Sequence, residues 1–184
     1  MPDDRIIDEL DKKIRRVPDF PKKGILFYDL TTLLQDSSTF HKVIDLLADK
    51  VEKEIGSKNF QKVVSIESRG FILGSPLAYK FKKGFVIVRK EGKLPYETLS
   101  YSYGLEYGTA TVEIHTDAIE KGESVIVVDD LIATGGTISA TIKLVEDLGG
   151  KVVGSVFLVE LVKLGGRKII ESKGIKVVSI ISYG

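Results

Sequence analysis

The chain is predicted to be an α/β protein whose core is a parallel sheet covered on both faces. Three observations predict it. From about residue 62 onward, apolar strand-like runs alternate with amphipathic stretches of helical spacing. One of those runs ends in two carboxylates and passes through a small, hydroxyl-rich loop into another helix. Finally, 184 residues with 43% hydrophobic and 29% charged side chains suffice to bury one substantial core. With no linker, repeat or low-complexity segment, residues 1–184 read as a single domain.

The elements follow in order. Ile6, Ile7, Leu10 and Ile14 recur at helical spacing and predict a helix over 3–16. Two prolines and a glycine make 17–24 irregular. A second amphipathic helix fits 38–55, capped by Ser37 or Ser38. Strands are predicted at 62–67, 85–89, 124–129, 152–161 and 175–181. Helices follow the first (reaching residue 82), the third (137–148, ended by Gly149-Gly150) and the fourth (164–172). Residues 90–108 break the alternation, with Gly92, Pro95, Gly104, Gly108 and four tyrosines. A connection of this length in a compact domain is usually functional or disordered. Residues 109–115 alternate like a half-exposed strand, so the segment reads as a long hairpin with a mobile tip, composed as a closing lid would be.

Composition narrows the function. The 27 basic and 26 acidic residues nearly cancel, which argues against broad nucleic-acid or membrane-surface binding. There is no cysteine, hence no disulfide or thiolate chemistry. No apolar run approaches the ~20 residues that span a bilayer. The N-terminal stretch is charged and amphipathic rather than a signal sequence, so a soluble, cytoplasmic protein is expected. His41 and His115 read as ordinary polar residues, and no metal-ligand cluster is visible.

The run Val127-Val128-Asp129-Asp130-Leu131-Ile132-Ala133-Thr134-Gly135-Gly136-Thr137 carries the chemistry. In open α/β sheets ligands collect at the carboxyl ends of strands. A loop entering a helix offers unpaired N–H groups to an anion. Two acids beside such a cradle are poor phosphate ligands but good acceptors for sugar hydroxyls. The pattern suggests a sugar phosphate held at both ends. Other phosphate loops fit worse, since no Gly-Lys-Ser/Thr follows the glycines and no Gly-x-Gly-x-x-Gly opens the helix.

The same run resembles the phosphoribosyl diphosphate (PRPP) motif of type I phosphoribosyltransferases. Further segments are similar to the adenine phosphoribosyltransferase family. They are Pro18-Asp19-Phe20-Pro21 with Gly24-Ile25-Leu26-Phe27-Tyr28-Asp29, Glu67-Ser68-Arg69-Gly70-Phe71, Arg89-Lys90-Glu91-Gly92-Lys93-Leu94-Pro95, Leu105-Glu106-Tyr107-Gly108 and Val159-Glu160-Leu161. The resemblance spans nearly the whole chain from about residue 6. It implies a parallel-sheet type I phosphoribosyltransferase fold with an N-terminal hood over 1–36 and a flexible lid loop over 90–110. It also implies a magnesium-using homodimer that converts adenine and PRPP into AMP and pyrophosphate.

Residue roles follow from that resemblance. Asp129 and Asp130 would bind the ribose hydroxyls, and Ala133, Thr134, Gly135, Gly136 and Thr137 the 5′-phosphate. Arg69, Arg89, Lys90 and Lys93 would clamp the diphosphate, whose oxygens match guanidinium forks. Tyr107 joins the PRPP/AMP-binding group, and Glu106 handles the purine proton. Phe27 and Leu161 would sandwich adenine, with the backbone of Leu26 and Tyr28 reading its edge. From sequence alone Phe27 and Leu161 would read as core. Magnesium prefers diphosphate oxygens and water to a protein cage, so it is expected to travel with PRPP. One departure is Tyr96, where the family usually has glycine. Two alternatives stay open at this point: transfer to another base, or a non-enzymatic regulator that keeps the PRPP fold.

Overall fold

The protein is described here by a computed structural model that covers residues 4–104 and 108–184. It divides into two compact units, Met1–Leu46 and Leu47–Gly184.

In the first unit, α1 (Asp4–Lys13) is followed by β1 (Arg15–Pro18) and β2 (Leu26–Asp29), which pair antiparallel with Val17 opposite Phe27. The helix predicted to residue 16 therefore stops at Lys13, and Val17 and Pro18 are extended rather than irregular. Pro18 is tolerated in β1 because a two-stranded pair makes β1 an edge strand. A short helix α2 (Thr31–Leu34) leads to α3 (Ser37–Glu54). The cap of α3 is Asp36 rather than either serine: its Oδ1 accepts the Thr39 N–H at 2.9 Å. That bond is the main reason the Asp36 carboxyl sits below its ordinary range. Leu10, Ile14, Leu30, Leu33 and Val43 are buried.

The second unit is built on a seven-stranded sheet of order β5-β6-β4-β3-β7-β8-β9. Its elements are β3 (Lys62–Ile66), α4 (Arg69–Phe81), β4 (Gly84–Lys90), β5 (Thr98–Gly104), β6 (Thr109–His115), β7 (Ser124–Ile132), α5 (Gly136–Asp147), β8 (Lys151–Leu161), α6 (Gly166–Glu171) and β9 (Lys176–Tyr183). The strands from β4 to β9 across β3, β7 and β8 are parallel. β6 runs antiparallel to β4, and β5 antiparallel to β6. The predicted hairpin around the lid is thus β5–β6. It does not show the expected alternation, because Val112, Glu113 and Ile114 are all buried. β6 is an interior strand of the sheet, and α5 packs against the hairpin.

The core between sheet and helices joins Val64, Val86, Val88, Ile114, Val125, Val127, Ile138, Ile142, Leu144 and Phe157. Chain order creates a crevice within this sheet. From β3 the chain moves to β4 on one side, whereas β7, β8 and β9 lie on the other. Ligands bind outside the carboxyl ends of strands at such a switch point.

Candidate active site

Two strands of unequal length make room for the site. β3 pairs with β7 only as far as Ser65 opposite Val128. β8 accompanies β7 further, with Asp129 opposite Phe157 and Ile132 opposite Glu160. β7 therefore continues beyond its predicted end at residue 129. Asp129 and Asp130 lie within the strand, and Asp130 is only 5% exposed. Where β3 departs, a cavity of about 170 Å³ opens, lined by Glu67, Arg69, Arg89, Lys90, Tyr103, Asp129, Asp130 and Thr137 among others. A second cavity of about 100 Å³ is lined by Asp129 and by the loop Ala133, Thr134, Gly135, Gly136 and Thr137. Asp129 and Thr137 belong to both walls, so the two cavities adjoin.

Several charged groups of the larger cavity are paired. Arg69 Nε stands 2.9 Å from Asp130 Oδ2. Arg89 Nε donates to Glu67 Oε2 at 2.8 Å, Lys93 Nζ donates to Glu67 Oε1, and the Lys90 N–H reaches Glu67 Oε2 at 3.3 Å. Burial alone would raise the Glu67 carboxyl, but the Lys93 and Arg89 bonds hold it below its ordinary value. Arg89 also binds the Lys93 carbonyl at 3.0 Å. Gly92 N–H is fixed by Glu113 at 3.0 Å, so the basic turn after β4 is anchored at several points. Gly70 is required at the start of α4, because a Cβ there would lie 2.9 Å from the Val128 carbonyl oxygen and 3.0 Å from Asp129 Oδ1. The close approach is to the backbone of β7.

The two aspartates behave differently from surface acids. Asp129 stands at the cavity wall yet is closely surrounded by protein. Burial, then the charge of Asp130, pushes its carboxyl well above the ordinary range. Asp130 is also raised, burial outweighing the pull of Arg69. A carboxyl raised in the folded state favours folding while protonated, and that advantage is lost as pH rises from its unfolded value of 3.8 through the raised folded one. Asp129→Asn, neutral throughout, is therefore expected to melt at a higher temperature than wild type at about pH 7.5, with the gap closing toward about pH 4. Equal melting temperatures at both pH values would refute the raised carboxyl.

The phosphate loop opens α5. Gly135 adopts φ +83°, and a Cβ there would also meet Gly166 Cα at 3.2 Å. The Tyr103 hydroxyl lies 2.9 Å from Thr137 Oγ1, so the β5–β6 hairpin touches the cradle directly. Glu67 and Tyr103 were not singled out from sequence. The sequence signals for them are the place of Glu67 at the head of the Glu67-Ser68-Arg69-Gly70-Phe71 segment and the polar aromatics of the long connection.

The remaining sequence assignments are placed as follows. Leu26, Phe27 and Tyr28 lie on β2 in the first unit; the Phe27 ring packs edge-on against Phe20 with centroids 5.1 Å apart. Leu161 ends β8 in the second unit and is half-buried. Glu106 and Tyr107 lie outside the described residues. Tyr96 has φ +71°, a left-handed backbone that explains a preference for glycine at that position. His41 is exposed, whereas His115 Nε2 lies 2.6 Å from the Pro95 carbonyl oxygen. Among the described residues no group of three His, Cys, Asp or Glu could hold a metal ion. Glu67 and Asp130 are each paired with cations. Such a donor set fits a metal carried by substrate oxygens better than one held by the protein.

Comparison with known proteins identifies the family. Residues 29–182 match the family model for the phosphoribosyl transferase domain. The chain is 55% identical to an adenine phosphoribosyltransferase of Geobacter metallireducens over 96% of this chain and 100% of the relative. It is 56% identical to one from Brachyspira hyodysenteriae, over 95% and 99%. A crystal structure of adenine phosphoribosyltransferase from Thermoanaerobacter pseudethanolicus superposes with TM-score 0.90 at 50% identity, covering 96% of this chain and 99% of that one. The enzyme from Saccharomyces cerevisiae, solved with adenine and an imino-altritol bisphosphate, also gives TM-score 0.90 at 37% identity, covering 97% and 99%. The chain belongs to the phosphoribosyl transferase family, within its adenine phosphoribosyltransferase branch.

Proposed function

We infer that the protein transfers the 5-phosphoribosyl group from PRPP to adenine, giving AMP and pyrophosphate. One observation carries this reading: a cation-lined cavity and a loop-built cradle adjoin, and Asp129 and Thr137 line both. A substrate with a diphosphate at one end, a phosphate at the other and a diol between matches that order. Ala133–Thr137 bind the 5′-phosphate through loop N–H groups and hydroxyls. Asp129 and Asp130 accept from the ribose hydroxyls. Arg69, Arg89, Lys90 and Lys93 stabilise the departing pyrophosphate, and Tyr107 contributes to the same site. Magnesium, arriving with the substrate, would supply charge neutralisation of the diphosphate beside Arg69, Arg89, Lys90 and Lys93.

In the reaction the bond from ribose C1 to the diphosphate oxygen breaks and its electrons leave with pyrophosphate. Adenine N9 attacks C1 from the opposite face, so the configuration inverts, and the N9 proton passes to Glu106. Phe27 and Leu161 provide faces for the purine ring, and the backbone of Leu26 and Tyr28 reads its edge. Leu26 and Tyr28 are two residues apart on β2, so their backbone groups share one edge of that strand, which supports the assignment. The exposed apolar side chains Ile72 and Tyr79 on α4 and Phe85 on β4 support a homodimer. Among the described residues no helix is long and apolar enough to cross a membrane, in keeping with a cytoplasmic enzyme.

The test is direct: incubate the protein with PRPP, magnesium and each purine in turn, and follow nucleotide formation by chromatography. AMP from adenine is expected, and no nucleotide from any base would overturn the reading. Asp129→Asn and Asp130→Asn are each expected to lower kcat/KM for PRPP by roughly ten- to hundredfold, the loss of a hydrogen bond to a charged group at ~1.5–3 kcal/mol. Asp129→Asn is the cleaner variant, since Asp130 also pairs with Arg69 and Asp130→Asn weakens that contact as well. Unchanged PRPP kinetics in both would refute the ribose assignment.

A further inference from the structure

The phosphate cradle rests on a residue outside every motif that identified the site. Gly166 N–H donates to the Ala133 carbonyl at 3.1 Å, which joins the start of α6 to the cradle. The approach is close enough that a Cβ on Gly166 would stand 2.9 Å from Gly135 N and would overlap the Ala133 carbonyl oxygen. Gly166 is buried, and the space beside Gly135 is filled by the Gly166 backbone in return.

The next residue fastens this contact to the sheet. Arg167 Nε donates to both Glu160 oxygens at 2.8 and 2.9 Å. Its Nη1 donates to the Val177 carbonyl at 2.7 Å, and its Nη2 to Ser179 Oγ at 2.8 Å. Glu160 is 4% exposed and sits in β8 opposite Ile132, the last residue of β7 before the cradle. A buried carboxylate is tolerable only when paired and hydrogen-bonded, and the Arg167 fork meets that need. None of these side chains lines either cavity. A pair built only for stability would not need to seat the adjoining glycine against the phosphate loop.

We propose that Gly166 and Arg167 are positioning residues for the phosphate cradle: Gly166 sets the height of the Ala133–Gly135 loop, and Arg167 locks Gly166 to β8 and β9. The proposal rests on the reading of Ala133–Thr137 as the 5′-phosphate site. Substituting either residue displaces the loop N–H groups while leaving the cationic side of the site untouched.

Titration calorimetry of the full chain with ribose 5-phosphate, and separately with magnesium pyrophosphate, tests it. Gly166→Ala is expected to weaken ribose 5-phosphate about tenfold or more, with pyrophosphate affinity within about twofold of wild type. Arg167→Lys keeps a charge beside Glu160 but loses the fork; it should show the same asymmetry at about three- to tenfold, and it carries the test if Gly166→Ala does not fold. Wild-type ribose 5-phosphate affinity in the folded variants, or an equal loss for both probes, overturns the proposal. A lower melting temperature without the asymmetry also overturns it, as that is what a merely structural pair would give. Thr137→Val separates the underlying reading. If it leaves ribose 5-phosphate binding unchanged, the cradle itself is misassigned; if it weakens binding while Gly166→Ala and Arg167→Lys do not, only the positioning role falls.

Discussion

Hypoxanthine in place of adenine is expected to lower kcat/KM by ~10⁴–10⁵-fold. A backbone carbonyl near Leu26 is assigned to accept a hydrogen bond from the exocyclic amine of adenine. Hypoxanthine places its own carbonyl against that acceptor, so two oxygens face each other in a closed site and neither is satisfied. Sites built to bond a particular group discriminate far more sharply than apolar pockets do. The reading group is main chain, so Tyr28→Ala should alter packing but spare the preference. Phe27→Ala should weaken every purine alike, because a lost stacking face costs ~1–3 kcal/mol per base. The Phe27 ring already has a partner in Phe20, so part of this loss would be reorganisation of the empty site. Steady-state rates with both bases decide the matter: turnover of hypoxanthine within about tenfold of adenine would move the protein to another purine specificity while leaving the PRPP site intact.

Glu106→Gln should lower turnover by ~10²–10⁴-fold, the usual contribution of a positioned proton-transfer group. PRPP binding should change much less. The amide keeps the shape and hydrogen-bonding reach of the carboxylate but cannot take the N9 proton as the new bond forms, so the loss falls on the transition state. Single-turnover measurement with prebound PRPP isolates this step from product release. Undiminished chemistry in that experiment would reduce Glu106 to a structural residue of the lid.

Much of the sheet was legible because its strands are written in Val and Ile. Strands β3, β7, β8 and β9 stand close to their expected positions, since buried parallel strands leave continuous apolar runs. β1 and β2 were not legible. They are four residues each and mostly exposed or half-exposed, and Pro18 argued against a strand. The end of β7 was missed for a related reason. Two acids look like the exit of a strand unless the pairing with β8 is known, and pairing is a long-range property. In the site, the acids and the Thr-Gly-Gly-Thr loop announced themselves locally. The Glu67 anchor, the Tyr103–Thr137 contact and the Arg167–Glu160 pair did not, because each joins segments whose proximity exists only in the folded sheet.

The constant register of β7 with β8, from Ile126 opposite Gly154 to Ile132 opposite Glu160, limits how this chain can change length. One residue inserted into either strand would advance everything beyond it by ~3.3 Å and turn each side chain to the other face. Asp129 and Asp130 would exchange sides, and the loop after Ile132 would no longer meet Gly166. Insertions are tolerable where they are absorbed ahead of that continuous register, in residues 116–123 before β7, 148–150 before β8 or 172–175 before β9, or in a bulge such as the register shift between Val125 and Ile126. Length drift among descendants of this sequence should therefore gather at the end of the sheet remote from the ligand, while the ligand end varies by substitution alone.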